Sequence, residues 1–304
     1  MRFCLEVWGT DYKKIKDTCR LAEELGYYGF YYGESLAEID LDCWCIISNL
    51  SAITETIKLG PVITYLIPQY RNIALLAKQS TTLQEISNGR LEFRTGAGAI
   101  HSYATQWWYP FGIDYPNIEE RISLLEEGLD LLRLLWSKPE VHFSGKYFKV
   151  RGSRLKNPGI PIPITVAAKR RKMMYLVAKH ADIWESSYLS PEQFAYINSE
   201  FEEIANTAKK KRKKTIIKSI ELDVIIANSD SELEYKKRLF AMERGPAVIS
   251  QLLKHSLIGK PDDVAQQVRK YIDAGIDQFF LAFQDPFEIK AIRLFMDTVK
   301  GCIN

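Results

Sequence analysis

Four places put reactive side chains where a strand hands over to a loop. Glu6 lies within Arg2–Trp8, where Phe3, Leu5 and Val7 alternate as in a buried strand. A carboxylate there is paired with an arginine, hydrogen-bonded, protonated, or simply exposed at the strand end. Glu34 directly follows GFYYG (29–33) and either joins Glu6 in acid–base work or caps an exposed turn. Gly96-Ala97-Gly98 ends a strand and lets a flat group approach the backbone. It lacks the third glycine and the later acidic residue of a Rossmann fingerprint. His101, just beyond, is either a proton donor or an ordinary polar loop residue. In Ala167-Ala168-Lys169-Arg170-Arg171, two small residues close a strand and a basic cluster opens a helix. Unpaired helix N–H groups beside cations suit an anion. Trp184, together with Tyr65, Trp107, Trp108 and Tyr109, could wall a pocket for a flat ring, although each aromatic alone serves equally well as core.

Other chemistries lack their residues. The five cysteines show no paired zinc spacing, and Cys43-x-Cys45 has no histidines near it, so no metal site is expected. No Walker loop, serine triad or supported cysteine nucleophile is present, which leaves hydrolysis and phosphoryl transfer without positive support. A net charge of +3 demands no nucleic-acid or membrane partner. The run Lys209–Lys214 carries no interleaved aromatics and reads as a solvated helix end. With no apolar stretch near 18 residues, the expectation is a cytoplasmic protein with reduced thiols and a small-molecule substrate.

The elements that must hold these residues alternate along the whole chain. Strands are expected at Arg2–Trp8, Gly29–Gly33, Lys58–Leu66, Leu91–Thr95, Ile164–Ala167, Asp182–Ser186, Ile216–Ala227 and Gln278–Ala282, each followed by a helical pattern. Val141–Val150 reads as a hairpin, and Asp230–Leu253 as helix broken at Gly245-Pro246. Eight βα units in 304 residues predict one (β/α)8 TIM-barrel domain with insertions. Catalytic groups then lie at strand C-termini, so Glu6 and Glu34 should share one mouth. The aperiodic stretch 100–117 and an insertion at about 228–258 should cover it.

The motif order RLAEELGYYGFYYGES, TIKLGPVIT, AKQSTTLQEISNGRLEFRTGAG, ISLLEEGLDLLRLLW, HADIWESS and IGKPDDVAQQVRKYIDAGIDQFFLAF resembles the bacterial luciferase-like superfamily of flavin- and deazaflavin-dependent oxidoreductases. MRFCLEV and LGPVIT are most similar to the methylenetetrahydromethanopterin reductases, which use coenzyme F420. The resemblance implies a TIM barrel, often homodimeric, with the cofactor ring at the mouth. It implies an active-site role for Glu6, and a non-prolyl cis bond at Val62–Ile63, beside Thr64, backing the ring. The family's glycine-rich loop after the fifth strand is here Ala167–Arg171, whose cations could suit the phosphate and glutamyl tail of F420. FMN-binding luciferase subunits carry arginine where Ala97 stands. The expected function is hydride transfer between F420 and a small organic substrate. The alternatives are an FMN-dependent monooxygenase using molecular oxygen and a non-catalytic flavin-binding barrel.

Overall fold

A computed structural model describes residues 1–209, 215–245 and 249–301. The strands are β1 (Arg2–Val7), β2 (Gly29–Gly33), β3 (Lys58–Val62), β4 (Phe93–Gly96), β5 (Val141–Ser144), β6 (Lys149–Ser153), β7 (Ile164–Ala167), β8 (Ile183–Ser187), β9 (Ile217–Ile226), β10 (Leu257–Gly259) and β11 (Gln278–Phe283). Eight parallel strands pair in the order β3-β2-β1-β11-β9-β8-β7-β4. Bridges Leu59 to Leu91 and Thr64 to Thr95 then draw β3 against β4, so the barrel is nearly closed. Strands β5 and β6 form the expected hairpin outside it.

The helices are α1 (Tyr12–Glu24), α2 (Cys43–Ser51), α3 (Ile73–Ile86), α4 (Ala104–Trp107), α5 (Ile118–Ser137), α6 (Arg171–His180), α7 (Pro191–Lys209), α8 (Asp230–Arg244), α9 (Ile249–Lys254), α10 (Pro261–Asp273) and α11 (Ile289–Leu294). Local sequence fixes their ends. In α1, the Asp11 side chain accepts the Lys14 N–H at 3.1 Å, and Ile15, Cys19 and Ala22 bury one face. Gly26 stops the helix at a φ of +76°, where a side chain would be strained.

Period-two alternation divides the barrel into two environments. Phe3, Leu5, Phe30, Leu59, Phe93, Val166, Ile220, Leu222, Phe279 and Leu281 belong to the large apolar layer between strands and helices. Cys4, Tyr31 and Phe280 form a separate cluster inside the barrel, and the other interior positions are mostly polar, with Glu6, Glu92, Arg94, Glu185 and Asp223 charged and Thr165, Ser219 and Gln278 neutral. Glycine at Gly60 makes room for this filling, because a Cβ there would press on the Glu92 carbonyl and the Tyr31 ring.

Several boundaries differ from the sequence reading. Strand β3 stops at Val62, where the Val62–Ile63 peptide is cis, and pairing resumes only at Thr64. The stretch 100–117 holds α4 and two 3₁₀ turns, packed by Tyr65, Trp108, Ile113 and Tyr115. Of its aromatics, Trp108 and Tyr115 are buried and stacked at 5.7 Å while Tyr103, Tyr109 and Phe111 stay exposed, so they leave no helical or strand period. Strand β10 was not expected: three residues are too few to show alternation, and its place beside β9 comes from parallel pairing. Most of the run Lys209–Lys214, Pro246 and Cys302 lie outside the described residues. No described helix is long and apolar enough to cross a membrane. Among the described residues, no group of three or more His, Cys, Asp or Glu side chains could hold a metal ion.

Candidate active site

Glu6 points into the barrel, and its partner is Arg94 on β4. Arg94 is fully buried and is shared by three carboxylates. Its Nη1 faces Glu6, and its Nε and Nη2 grip Glu185 of β8, the Nη2 bond measuring 2.8 Å. Nη2 also donates to Glu221 of β9 at 3.1 Å. The guanidinium lies 4.1 Å from the centre of the Phe280 ring. Burial pushes the Glu6 carboxyl well above its usual range, with Arg94 opposing and Glu221 and Glu185 reinforcing the rise. Glu185 is raised for the same first reason. Burial thus favours the protonated form of Glu6 and Glu185, against the pull of the shared guanidinium. Glu221, with 20% of its side chain exposed, is the member that meets the mouth.

Below this layer Glu92 accepts hydrogen bonds from Tyr31 and, at 2.8 Å, from Tyr28. Above it, Asp223 follows Glu221 on the same face of β9. Its Oδ1 accepts from Arg244 of α8 at 3.1 Å, while its buried Oδ2 has no partner among the described residues. Tyr188, just past β8, has a φ of +51°, a conformation rare outside glycine, and its N–H donates to the Glu221 carbonyl.

Glu34 lies elsewhere on the rim. It accepts from Thr64 Oγ1, from Tyr70 at 2.8 Å and from Arg71 at 2.6 Å. The structure therefore does not couple Glu34 to Glu6; Glu185 and Glu221 fill that place. Glu34 instead ties Thr64, just beyond the cis peptide, to the Tyr70-Arg71 loop.

The other residues singled out from the sequence fall into two groups. Gly96, Ile63 and Ala167 meet: a Cβ at Gly96 would sit 3.1 Å from the Ile63 side chain and 3.3 Å from the Ala167 methyl. Gly98 has a φ of +87° and a Cβ there would strike the Tyr115 hydroxyl. A cavity of about 690 Å³ opens between these two loops, lined by Ala97, Gly98, Ala168, Lys169, Arg170 and Lys172 among others. His101 also borders it, and hydrogen-bonds Tyr109 at 2.9 Å. Helix α6 opens on this cavity, and its N-cap residue Arg170 makes no side-chain bond to the first N–H groups. Burial lowers the Lys169 ammonium, with Glu221 and Glu185 opposing. Arg171 does not join the cavity, because it turns outward to Glu200 at 2.8 Å. Trp184 does not wall a pocket either. It alternates to the outer face of β8, where Phe194 and Phe201 of α7 pack on it at 5.4 and 4.2 Å, and its indole N–H donates to the Ala168 carbonyl.

Residues 5–243 match the family model described as luciferase-like monooxygenase. The chain belongs to that family. Among curated relatives of this luciferase-like protein is an F420-dependent glucose-6-phosphate dehydrogenase of Amycolatopsis mediterranei, 24% identical and covering 77% of this chain and 74% of the relative. A 5,10-methylenetetrahydromethanopterin reductase of Archaeoglobus fulgidus is 28% identical, covering 60% of this chain and 52% of its own. The fold matches a solved F420-dependent secondary alcohol dehydrogenase, in complex with an F420-acetone adduct, with a TM-score of 0.83 at 18% identity, over 100% of this chain and 99% of that one. The luciferase-like chain is accordingly an oxidoreductase on a nearly closed TIM barrel.

Arg94, Glu185, Glu221 and Asp223 were missed in the sequence. Their signal was present in LEFRT and IELDV, where every second residue is charged, and in IWES as one charge within a strand.

Proposed function

We propose that this luciferase-like protein transfers a hydride between coenzyme F420 and a small organic substrate held at the barrel mouth. The observation that carries the reading is the cavity between the Gly96–His101 loop and the start of α6, where Lys169, Arg170 and uncapped helix N–H groups converge. That donor set fits the phosphate and carboxylates of a deazaflavin tail. Ala97, in place of the arginine of FMN-binding luciferase subunits, supports the same choice, as do the F420-dependent relatives.

When bound, F420 supplies the hydride chemistry, and the protein supplies position and proton control. Val62, Ile63, Thr64, Gly96, Ala97 and Gly98 would line the ring, and Ala167, Ala168, Lys169 and Arg170 the tail. Glu34 fixes Thr64 through its hydrogen bond and so steadies the ring-facing segment. Glu6, Glu185 and Glu221 surround Arg94 beneath the mouth, and burial favours the protonated form of Glu6 and Glu185 there.

The test is fluorescence titration of the purified protein with F420 and, separately, with FMN. Tighter F420 binding, with turnover reduced in Glu6→Gln at unchanged cofactor affinity, is expected. Preference for FMN with oxygen uptake on reduction would replace this reading with a monooxygenase, and binding of neither would overturn both.

A further inference from the structure

Arg94 is saturated by three carboxylates, but a second arginine at the mouth is not. Arg244 ends α8, on the inserted segment, and reaches back over the barrel to Asp223 on β9. One edge of its guanidinium is fixed by that bond of 3.1 Å, and Asp223 itself is only 1% exposed. Among the described residues Nε and Nη1 of Arg244 have no hydrogen-bond partner, and 36% of its side chain remains exposed. Trp8 and Phe240 lie beside it, their ring centres 5.9 and 5.5 Å from the guanidinium carbon, and Tyr188 and Tyr103 are near enough to act on its charge. The adjacent carboxylate on α8, Glu243, accepts from Gln284 at 3.2 Å.

This is an arginine held from behind by a buried carboxylate, with its free edge framed by aromatic rings. Such preorganisation cuts the entropy lost when the fork closes on an oxyanion, and low-polarity walls strengthen the charge-assisted bonds. Burial pushes Asp223 up to about 7, with Arg244 opposing and Glu221 reinforcing.

We propose that Arg244 recognises the substrate, and that the substrate it selects is a small ring-bearing molecule with a carboxylate or phosphate group. The proposal deepens the oxidoreductase reading and rests on it for the identity of the site. Its test does not need turnover. The full chain, with and without F420, is titrated with benzoate, phenyl phosphate and the neutral benzamide, following tryptophan fluorescence. One or both anions should bind about 10-fold or more tighter than benzamide, and the stronger anion identifies the headgroup. Arg244→Gln should erase the preference while leaving benzamide affinity within about 2-fold, and Arg244→Lys should keep part of it. Equal binding of anions and amide, no binding of either anion, or a preference that survives Arg244→Gln would overturn the proposal. A role confined to pinning α8 would lower the thermal midpoint of Arg244→Gln without moving the anion preference. Failure of F420 to bind would remove the hydride-transfer reading, while the cofactor-free titration still reports on Arg244.

Discussion

Replacing Arg94 with methionine keeps much of the side chain's volume and removes the charge that Glu6, Glu185 and Glu221 share. Breaking a buried ion pair from one side costs about 3–5 kcal/mol, because the partner charge is left in a poorly solvated site. Unfolding entropy near 2.1 cal/mol/K per residue, taken over 304 residues, converts this to a fall in Tm of about 5–8 °C. The loss should depend on pH. Burial already raises Glu6 and Glu185, and removing the opposing guanidinium raises them further. The folded variant then binds more protons than its unfolded chain, so its stability falls as pH rises from the unfolded glutamate value, about 4.3, through the raised folded values. Thermal unfolding at pH 5 and pH 8 should show the deficit largest at pH 8. Adding Glu6→Gln should recover part of it by deleting one uncompensated charge. A deficit under about 2 °C at pH 8, or one equal at both pH values, would refute the account of Arg94 as the counter-charge of this cluster.

Trp184→Ala should cost about 3–5 kcal/mol in chemical denaturation by opening a cavity against Phe194 and Phe201, yet leave F420 affinity within about 2-fold; a selective loss of cofactor binding would return Trp184 to the site. Lys169→Ala should weaken F420 binding about 10-fold and flatten its salt dependence, and unchanged affinity would place the tail elsewhere. Burial lowers His180 to about 4, so its contribution to stability is present above the unfolded value near 6.5 and is lost as pH falls towards 4. His180→Gln should therefore lessen acid destabilisation between pH 6 and 4, measured by urea unfolding; an unaltered pH slope would count against a buried neutral imidazole.

The barrel was legible because its outward-facing residues obey simple patterning. Apolar alternation marked the strands, whereas the caps Asp11, Asn72 and Asn117, each accepting N–H bonds from the first turn of its helix, emerge from the structure. The candidate site was legible only in part. Glu6, Gly96, Gly98 and Lys169 stood out as chemistry at strand ends, while Arg94 looked like one more polar residue in a strand, since its partners lie 88, 91 and 127 positions away on three other strands. Pairings of that range depend on barrel closure, which no local window contains. Trp184 misled for a related reason. In a strand covered on both sides, aromatic character does not tell which face a residue takes, and register decides it.

The segment that carries Arg244 leaves β9 at Ile226 and returns as β10, pairing Leu257 to Gly259 with Val224 to Ile226 of the same strand. Departure and return are thus side by side, with the Ala227 N–H donating to the Gly259 carbonyl across the gap. A chain excursion closed at its own base can change length at little cost, since loop entropy grows only logarithmically with residue number. The barrel thereby acts as a fixed socket and the excursion as an exchangeable fitting. Swapping residues 228–256 for a segment of different length or chemistry would alter what the mouth admits while Glu6, Arg94 and the α6 cavity keep their places.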